Sequence, residues 1–134
     1  MKLFLTLFLA AHGLIHASFL SPAPPRTAGG PEWPFELTRS WLVTGLQMDP
    51  GIVRSAGIVL AVTSAGLLVL AGLATAGWIV PSTWWGGLSL AGAASSLVTL
   101  LLFFHPWLMV GVAIDVGLVW LVVGAGWSPD TIGT

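Results

Sequence analysis

The chain has 134 residues, of which 56% are hydrophobic and 7% are charged. An average soluble domain has about a quarter of its residues charged, so this composition indicates an integral membrane protein whose apolar side chains face lipid. The four Lys/Arg and five Asp/Glu give a formal net charge of −1, which excludes a basic surface for nucleic acid. The absence of cysteine excludes a disulfide framework, a thiolate metal site and an iron–sulfur cluster.

Four apolar runs have the length of membrane-spanning helices, since a helix needs about 20 residues to cross a hydrocarbon core of roughly 30 Å. They cover about 3–20, 51–78, 84–104 and 106–123, and a polar loop at 21–50 separates the first two. The runs are continuously apolar instead of alternating, which argues against a β-barrel. The sequence therefore predicts an all-α fold, a single-domain transmembrane four-helix bundle spanning 1–134.

The first run admits two interpretations. It extends from Leu3 to Leu20, follows Lys2 and precedes a proline-rich segment, which is compatible with a signal peptide as well as with a span. Its apolar stretch is long for a signal peptide. We therefore expect an uncleaved first helix.

The loop between the first two spans is the most polar part of the chain, and its charged residues are Arg26, Glu32, Glu36, Arg39 and Asp49. Its later part, WPFELTRSWLVTGL at 33–46, mixes large apolar side chains with charges. That composition is typical of a helix lying along the headgroups. We predict a short interfacial helix there.

Tryptophans indicate where the spans meet the membrane surfaces, and basic residues indicate which surface is cytoplasmic. We expect interfacial anchors in two groups, Trp33, Trp41 and Trp107 at one surface and Trp78, Trp84, Trp85 and Trp127 at the other. Arg26, Arg39 and Arg54 favour a cytoplasmic first loop, whereas Lys2 favours a cytoplasmic N-terminus. The count of basic residues favours the loop.

Small residues at four-residue spacing predict close helix packing, because they let helix backbones approach each other in lipid. The predicted packing positions are Gly87, Ala91, Ser95 and Thr99 in the third span and Gly72 and Ala76 in the second.

Titratable side chains concentrate in one half of the predicted bilayer, at the face that carries the first loop. At about 1.5 Å per residue, His16 lies roughly 6 Å, His12 roughly 12 Å and Asp115 roughly 14 Å inside this loop face. His12 and His16 are four residues apart and project from the same side of their helix. Arg54 and His105 belong to the edge of the same face.

An ionised aspartate at the centre of a lipid-facing helix costs about 2.5–3.5 kcal/mol. Asp115 is therefore either protonated or turned toward donors in the bundle. We predict a polar pocket, open at the loop face, formed by His12, His16 and Asp115. Arg39, Arg54 and His105 would guard its opening.

Three roles for this pocket remain open. His12, His16 and Asp115 are suitable ligands for zinc, iron or copper, with His105 as a fourth group, and haem ligation is a related alternative. Proton or small-solute handling is the second role, and structural polar packing is the third. The sequence contains no nucleophile elbow or phosphate loop, so no catalytic residue is predicted and an enzyme is the less favoured class.

Several short motifs in order give a family resemblance. HGLIH, PEWPFELTRSWL, VRSAG and FHPWLMVGVAID resemble an uncharacterised small four-span bacterial membrane protein family with HGLxH, WPFxLxRSWL and HPWLxxGxxID motifs. The matching positions are His12, Gly13, His16, Trp33, Pro34, Phe35, Arg39, Ser40, Trp41, Arg54, His105, Pro106, Trp107, Gly111 and Asp115. A looser similarity to DoxX-like four-helix proteins rests on size and span count. The resemblance implies the fold and no reaction.

The small extramembrane part leaves mainly helix surfaces for interactions. We therefore expect an accessory or assembly subunit of the bacterial inner membrane, acting through helix contacts with a membrane-protein partner or a second copy. The alternative is a small carrier, or a protein that handles metal ions or protons, with His12, His16 and Asp115 at its centre.

Overall fold

The structure is a computed structural model that describes residues 1–25 and 28–131. Four helices are long and apolar enough to cross a membrane, namely Lys2–Leu20, Pro50–Ala76, Ser82–Leu102 and Pro106–Gly124. No strand occurs among the described residues. The predicted all-α four-helix bundle is confirmed, and the chain is a small polytopic membrane protein. The helix ends lie within two residues of the predicted ones, and Arg26 of the polar loop lies outside the described residues.

The first two spans end differently, and the second both begins and ends at local sequence signals. Helix α1, Lys2–Ile15, continues into a 3₁₀ segment, His16–Leu20. The second span is α3, Pro50–Ala76, and the Asp49 carboxylate caps it by accepting a 2.9 Å hydrogen bond from the Ile52 amide. Proline fits the first helical turn because it lacks an amide hydrogen. Gly77 ends the helix with a φ of 67°, a left-handed conformation that favours glycine.

The interfacial segment forms one helical turn, α2, Trp41–Thr44. Its N-cap Ser40 donates a 2.7 Å hydrogen bond to the Leu102 carbonyl, and the Trp41 indole donates a 3.0 Å bond to the Leu101 carbonyl. The last carbonyls of a helix have no intrahelical partner. Helix α2 therefore fastens the first loop to the end of the third span.

The third and fourth spans are less regular at their ends. Helix α4 is Trp85–Leu102, and α5 is Met109–Val119. A 3₁₀ turn precedes α5 and a π-helical turn, Trp120–Gly124, follows it. The ring nitrogen Nδ1 of His105 caps the 3₁₀ turn by accepting a 3.2 Å bond from the Trp107 amide.

The spans pack in a row, α1 against α3, α3 against α4 and α4 against α5. Glycines make the closest approaches. A β-carbon at Gly13 would lie 2.9 Å from the Ala65 carbonyl oxygen, and one at Gly72 would lie 2.8 Å from the Thr6 carbonyl oxygen. Within the described residues, α1 and α5 approach each other less closely than these neighbouring pairs, so a cleft separates the first and last spans.

The packing line of α4 matches the predicted one only in its later part, where the Ser95 hydroxyl contacts Ser64 and the Leu60 carbonyl of α3. Gly87 and Ala91 are exposed, Ser95 is half-buried and Thr99 is buried. The close contact is made instead by Gly92, where a β-carbon would lie 2.9 Å from the Leu68 side chain. Spacing identifies a stripe of small residues but not how the helix is rotated toward its neighbour. In α3, Gly72 is buried and Ala76 is half-buried.

Trp85 corrects one of the predicted surface anchors. It is 2% exposed and belongs to the core formed with Leu9, Leu68 and Leu118. Its ring meets that of Trp127 edge to face, with the centroids 4.8 Å apart. The anchor groups also include Trp41, Trp78, Trp84 and Trp107, and each of these side chains is at least half exposed.

Candidate functional site

Four polar side chains from three spans meet in the middle of the bundle and form what we call the His–Ser–Asp cluster. His12 and His16 come from the first span, Ser96 from α4 and Asp115 from α5. Their exposures range from 0% for Ser96 and Asp115 to 5% for His12. Burying polar groups among apolar helices costs free energy unless they are hydrogen-bonded, so their mutual contacts decide what the cluster does.

The cluster is a continuous hydrogen-bonded chain. Nε2 of His12 lies 2.8 Å from Oδ1 of Asp115, and the Ser96 hydroxyl bonds the other carboxyl oxygen, Oδ2. The same hydroxyl oxygen lies 2.8 Å from Nε2 of His16. Finally, Nδ1 of His16 lies 3.2 Å from the carbonyl oxygen of His12. The order is therefore His12, Asp115, Ser96, His16.

Counting hydrogens along this chain leaves two arrangements. A carbonyl oxygen only accepts, so Nδ1 of His16 carries a hydrogen. If Nε2 of His16 is also protonated, it donates to Ser96, which donates to an ionised Asp115. If Nε2 is bare, Ser96 donates to it and Asp115 is protonated and donates to Ser96. Both arrangements contain the same number of hydrogens, so moving two protons along the chain converts one into the other.

In both arrangements Nε2 of His12 donates to Oδ1 of Asp115, so that Nδ1 is an acceptor when the imidazole of His12 is neutral. Within the described residues this nitrogen makes no hydrogen bond. Gly111 lies beside the same ring, since a β-carbon there would be 3.9 Å from Cε1 of His12. Nε2 of His12 therefore belongs to the hydrogen-bonded chain of the cluster, and Nδ1 lies outside it.

The cleft between α1 and α5 contains two cavities. The one nearer the loop face has a volume of about 180 Å³ and is lined by both histidines and by Ile15, Phe19, Trp107 and Val110, among others. The other has a volume of about 260 Å³ and is lined by apolar and aromatic side chains that include Leu5, Phe8 and Trp120. Ile114 lines both. The His12–Asp115 bond thus crosses the cleft between them.

The cluster does not open toward the loop face as predicted. Phe19 follows His16 along the chain, with ring centroids 6.3 Å apart, and is 4% exposed. Phe19 in turn packs against Phe35 and Phe103. Aromatic rings of the loop and of the third connection therefore cover the cluster on this side, and the cavity reaches it from between α1 and α5.

The three predicted guard residues lie outside the cluster. Arg54 is exposed on α3 and lines a surface groove with Phe19. His105 is half-buried and serves as the cap described above. Arg54 and His105 lie in the same half of the bundle as the cluster, but neither side chain contacts it.

Arg39, the third guard residue, lies in the loop. Its guanidinium bonds the carboxylate of Glu32, and its Nε lies 3.1 Å from Glu36. The hydrogen bond to Glu32 raises the pKa of Arg39 above its ordinary value, and the charge of Glu36 acts in the same direction. Arg39 is thus occupied in a surface ion-pair network.

The donor set does not fit a metal ion. Nε2 of His12 faces Asp115 and Nε2 of His16 faces Ser96, and the two imidazole planes are 89° apart. Among residues 1–25 and 28–131, no group of three or more His, Asp or Glu side chains is arranged to hold one. A metal centre needs its donors free and converging on one point, whereas here each Nε2 is already hydrogen-bonded to a different side chain.

Ser96 is the member that sequence reasoning missed. It lies six residues before the end of α4 at Leu102, or about 9 Å inside the loop face, between the depths of His16 and His12. This intermediate depth is a signal in the sequence, but serine in an apolar helix is equally typical of close helix packing.

No protein-family model, curated protein or solved structure matches this chain. The family resemblance drawn from the short motifs therefore stays a prediction.

Proposed function

We propose that this protein is a small proton-handling carrier of the membrane, in which the His–Ser–Asp cluster exchanges protons with a solute reaching it through the cleft between α1 and α5. The observation that supports this role is the continuous chain from His12 to His16. The His16–Ser96 and Ser96–Asp115 hydrogen bonds each exchange donor and acceptor between the two arrangements, which is the requirement for passing a proton between His16 and Asp115.

The surroundings of the cluster favour an exchange within the membrane. His16 is held at Nδ1 by a carbonyl and covered by Phe19, so this end of the chain is closed to solutes. His12 lines the cavity, so this end meets a solute. The low dielectric of the site strengthens each bond in the chain.

Infrared titration of the protein in lipid nanodiscs tests the proposal. Histidine is the side chain that ordinarily changes charge between about pH 5 and 8. We expect the carboxyl band of Asp115 and the imidazole bands to change together in one infrared transition, because one hydrogen-bonded chain joins these groups. Asp115→Asn should abolish the carboxyl signal, and the control His105→Asn, outside the cluster, should leave it intact. A wild-type spectrum that stays constant across the range would show polar packing and no proton exchange.

A second candidate, an accessory or assembly subunit of the bacterial inner membrane, is supported by the exposure of the fourth span. Only 17% of its apolar window is buried inside the protein, against 33–39% for the other three. Ala91, on the exposed side of α4, offers a further surface for close helix contact.

Purification in mild detergent tests this role by identifying co-purifying chains. We expect a stoichiometric partner that is lost in Ala91→Leu and kept in the control Ala56→Leu, a change at an exposed position of α3. Recovery of the wild-type protein without any stoichiometric partner contradicts the second candidate.

A further inference from the structure

The cavity beside the cluster has the size of a single ring. An apolar protein cavity of about 150 Å³ accommodates benzene, and this one measures about 180 Å³. Phe19, Phe35 and Trp107 contribute aromatic walls, which favour stacked or edge-to-face contact with another ring. A planar six-membered ring therefore matches both the volume and the lining.

Nδ1 of His12 is a polar atom of this cavity without a partner among the described residues. His12 is 5% exposed, lines the cavity and uses Nε2 for Asp115. Its Nδ1 makes no hydrogen bond to any part of the chain that the structure describes. Because Nε2 donates to Asp115, a neutral His12 has its Nδ1 free as an acceptor, and the group that complements this acceptor is a hydroxyl donor.

The most exposed side chains that line the cavity belong to the spans or to their ends. At its rim, Ile15 is 50%, Trp107 70% and Val110 69% exposed, and all three belong to spans or to their ends. A molecule dissolved in the bilayer reaches His12 sideways between α1 and α5, and an apolar tail attached to its ring remains among the acyl chains.

From these observations we infer that the cleft binds the ring of a lipid-soluble phenol, the class that includes alkylphenols and quinols, with the hydroxyl donating to Nδ1 of His12. This inference rests on the proposed function for the orientation of His12 and names its solute class. Binding involves no electron transfer and forms no covalent bond.

The test uses two probes that differ in one group, 4-octylphenol and its methyl ether, 4-octylanisole. Each is equilibrated with the full chain in lipid nanodiscs, and partition into empty nanodiscs of the same lipid is subtracted. We expect one saturable site for the phenol and about tenfold weaker binding of the ether, the size of one hydrogen bond. His12→Phe, which keeps a ring without nitrogen, should remove the difference between the probes.

Two variants on α5 make the test independent of any loss of folding in His12→Phe. Val110→Trp fills the rim of the cavity and should abolish saturable binding, whereas the control Val116→Trp, at an exposed position away from both cavities, should retain it. Equal affinity for phenol and ether, or unchanged binding in Val110→Trp, overturns the inference. Phenol binding without the infrared transition would remove the proton exchange and keep the ligand site, so the two failures are distinguishable.

Discussion

His12 and Asp115, 103 positions apart in the chain, are joined by a 2.8 Å hydrogen bond across the cleft between the first and last spans. The backbones of these two spans make fewer close contacts than any neighbouring pair. The bond therefore does two things: it ties the ends of the row of helices together, and it sets which nitrogen of His12 faces the cavity.

The first prediction separates the shape of Asp115 from its charge. Asparagine can accept from His12 through its oxygen and donate to Ser96 through its amide, as the protonated aspartate does. We expect Asp115→Asn to keep the free energy of unfolding within about 1 kcal/mol of the wild type. Asp115→Leu removes the acceptors and should cost about 3–5 kcal/mol. Unfolding in a denaturing detergent measures both, and equal stability of the two variants contradicts the proposed contacts.

The second prediction compares two serines on the same helix. Ser96 and Ser89 are both 0% exposed, but only Ser96 bonds the cluster, whereas the Ser89 hydroxyl has no partner among the described residues. Ser96→Ala leaves Nε2 of His16 and Oδ2 of Asp115 without their hydrogen-bond partner. It should therefore destabilise the protein by about 1–3 kcal/mol. Ser89→Ala should be neutral or slightly stabilising. Unfolding in the same denaturing detergent measures both variants. A larger loss of stability in Ser89→Ala than in Ser96→Ala would contradict the hydrogen bonds assigned to Ser96.

The third prediction concerns the contact between α1 and α3. A β-carbon at Gly13 would meet the Ala65 carbonyl oxygen at 2.9 Å and the Leu68 β-carbon at 3.0 Å, so Gly13→Ala should cost about 1–3 kcal/mol through overpacking. At Gly66, on the outer side of α3, no described atom lies within 4 Å of the added carbon. Gly66→Ala should therefore stabilise the helix by about 0.5–1 kcal/mol. Thermal unfolding of the two variants in detergent measures these changes, and we expect a lower unfolding temperature for Gly13→Ala and a higher one for Gly66→Ala.

The fourth prediction concerns the attachment of the first loop. Ser40 is 1% exposed, donates to the Leu102 carbonyl and accepts from the Leu42 amide. Ser40→Ala removes both bonds and should lower stability by about 1–2 kcal/mol. Limited proteolysis should then cut the loop faster. Ser55→Ala, at an exposed position of α3, is the control and should change neither quantity.

The number of spans and their ends follow from local properties of the chain. Hydropathy over about 20 residues, the proline at Pro50 and the glycine at Gly77 act on the backbone where they stand, whatever the rest of the molecule does. The depths of His12, His16 and Asp115 follow in the same way, because rise per residue is constant in a helix.

What the sequence left open is rotation about each helix axis. Ser96, Arg54 and His105 all belong to the half of the bilayer that holds the histidines, yet only Ser96 faces them, and Trp85 and Gly92 turn inward where an anchor and a different packing line were expected. Depth is additive along a helix, whereas the direction a side chain faces depends on how neighbouring helices fit against each other. Tertiary packing alone therefore decided which polar groups became partners.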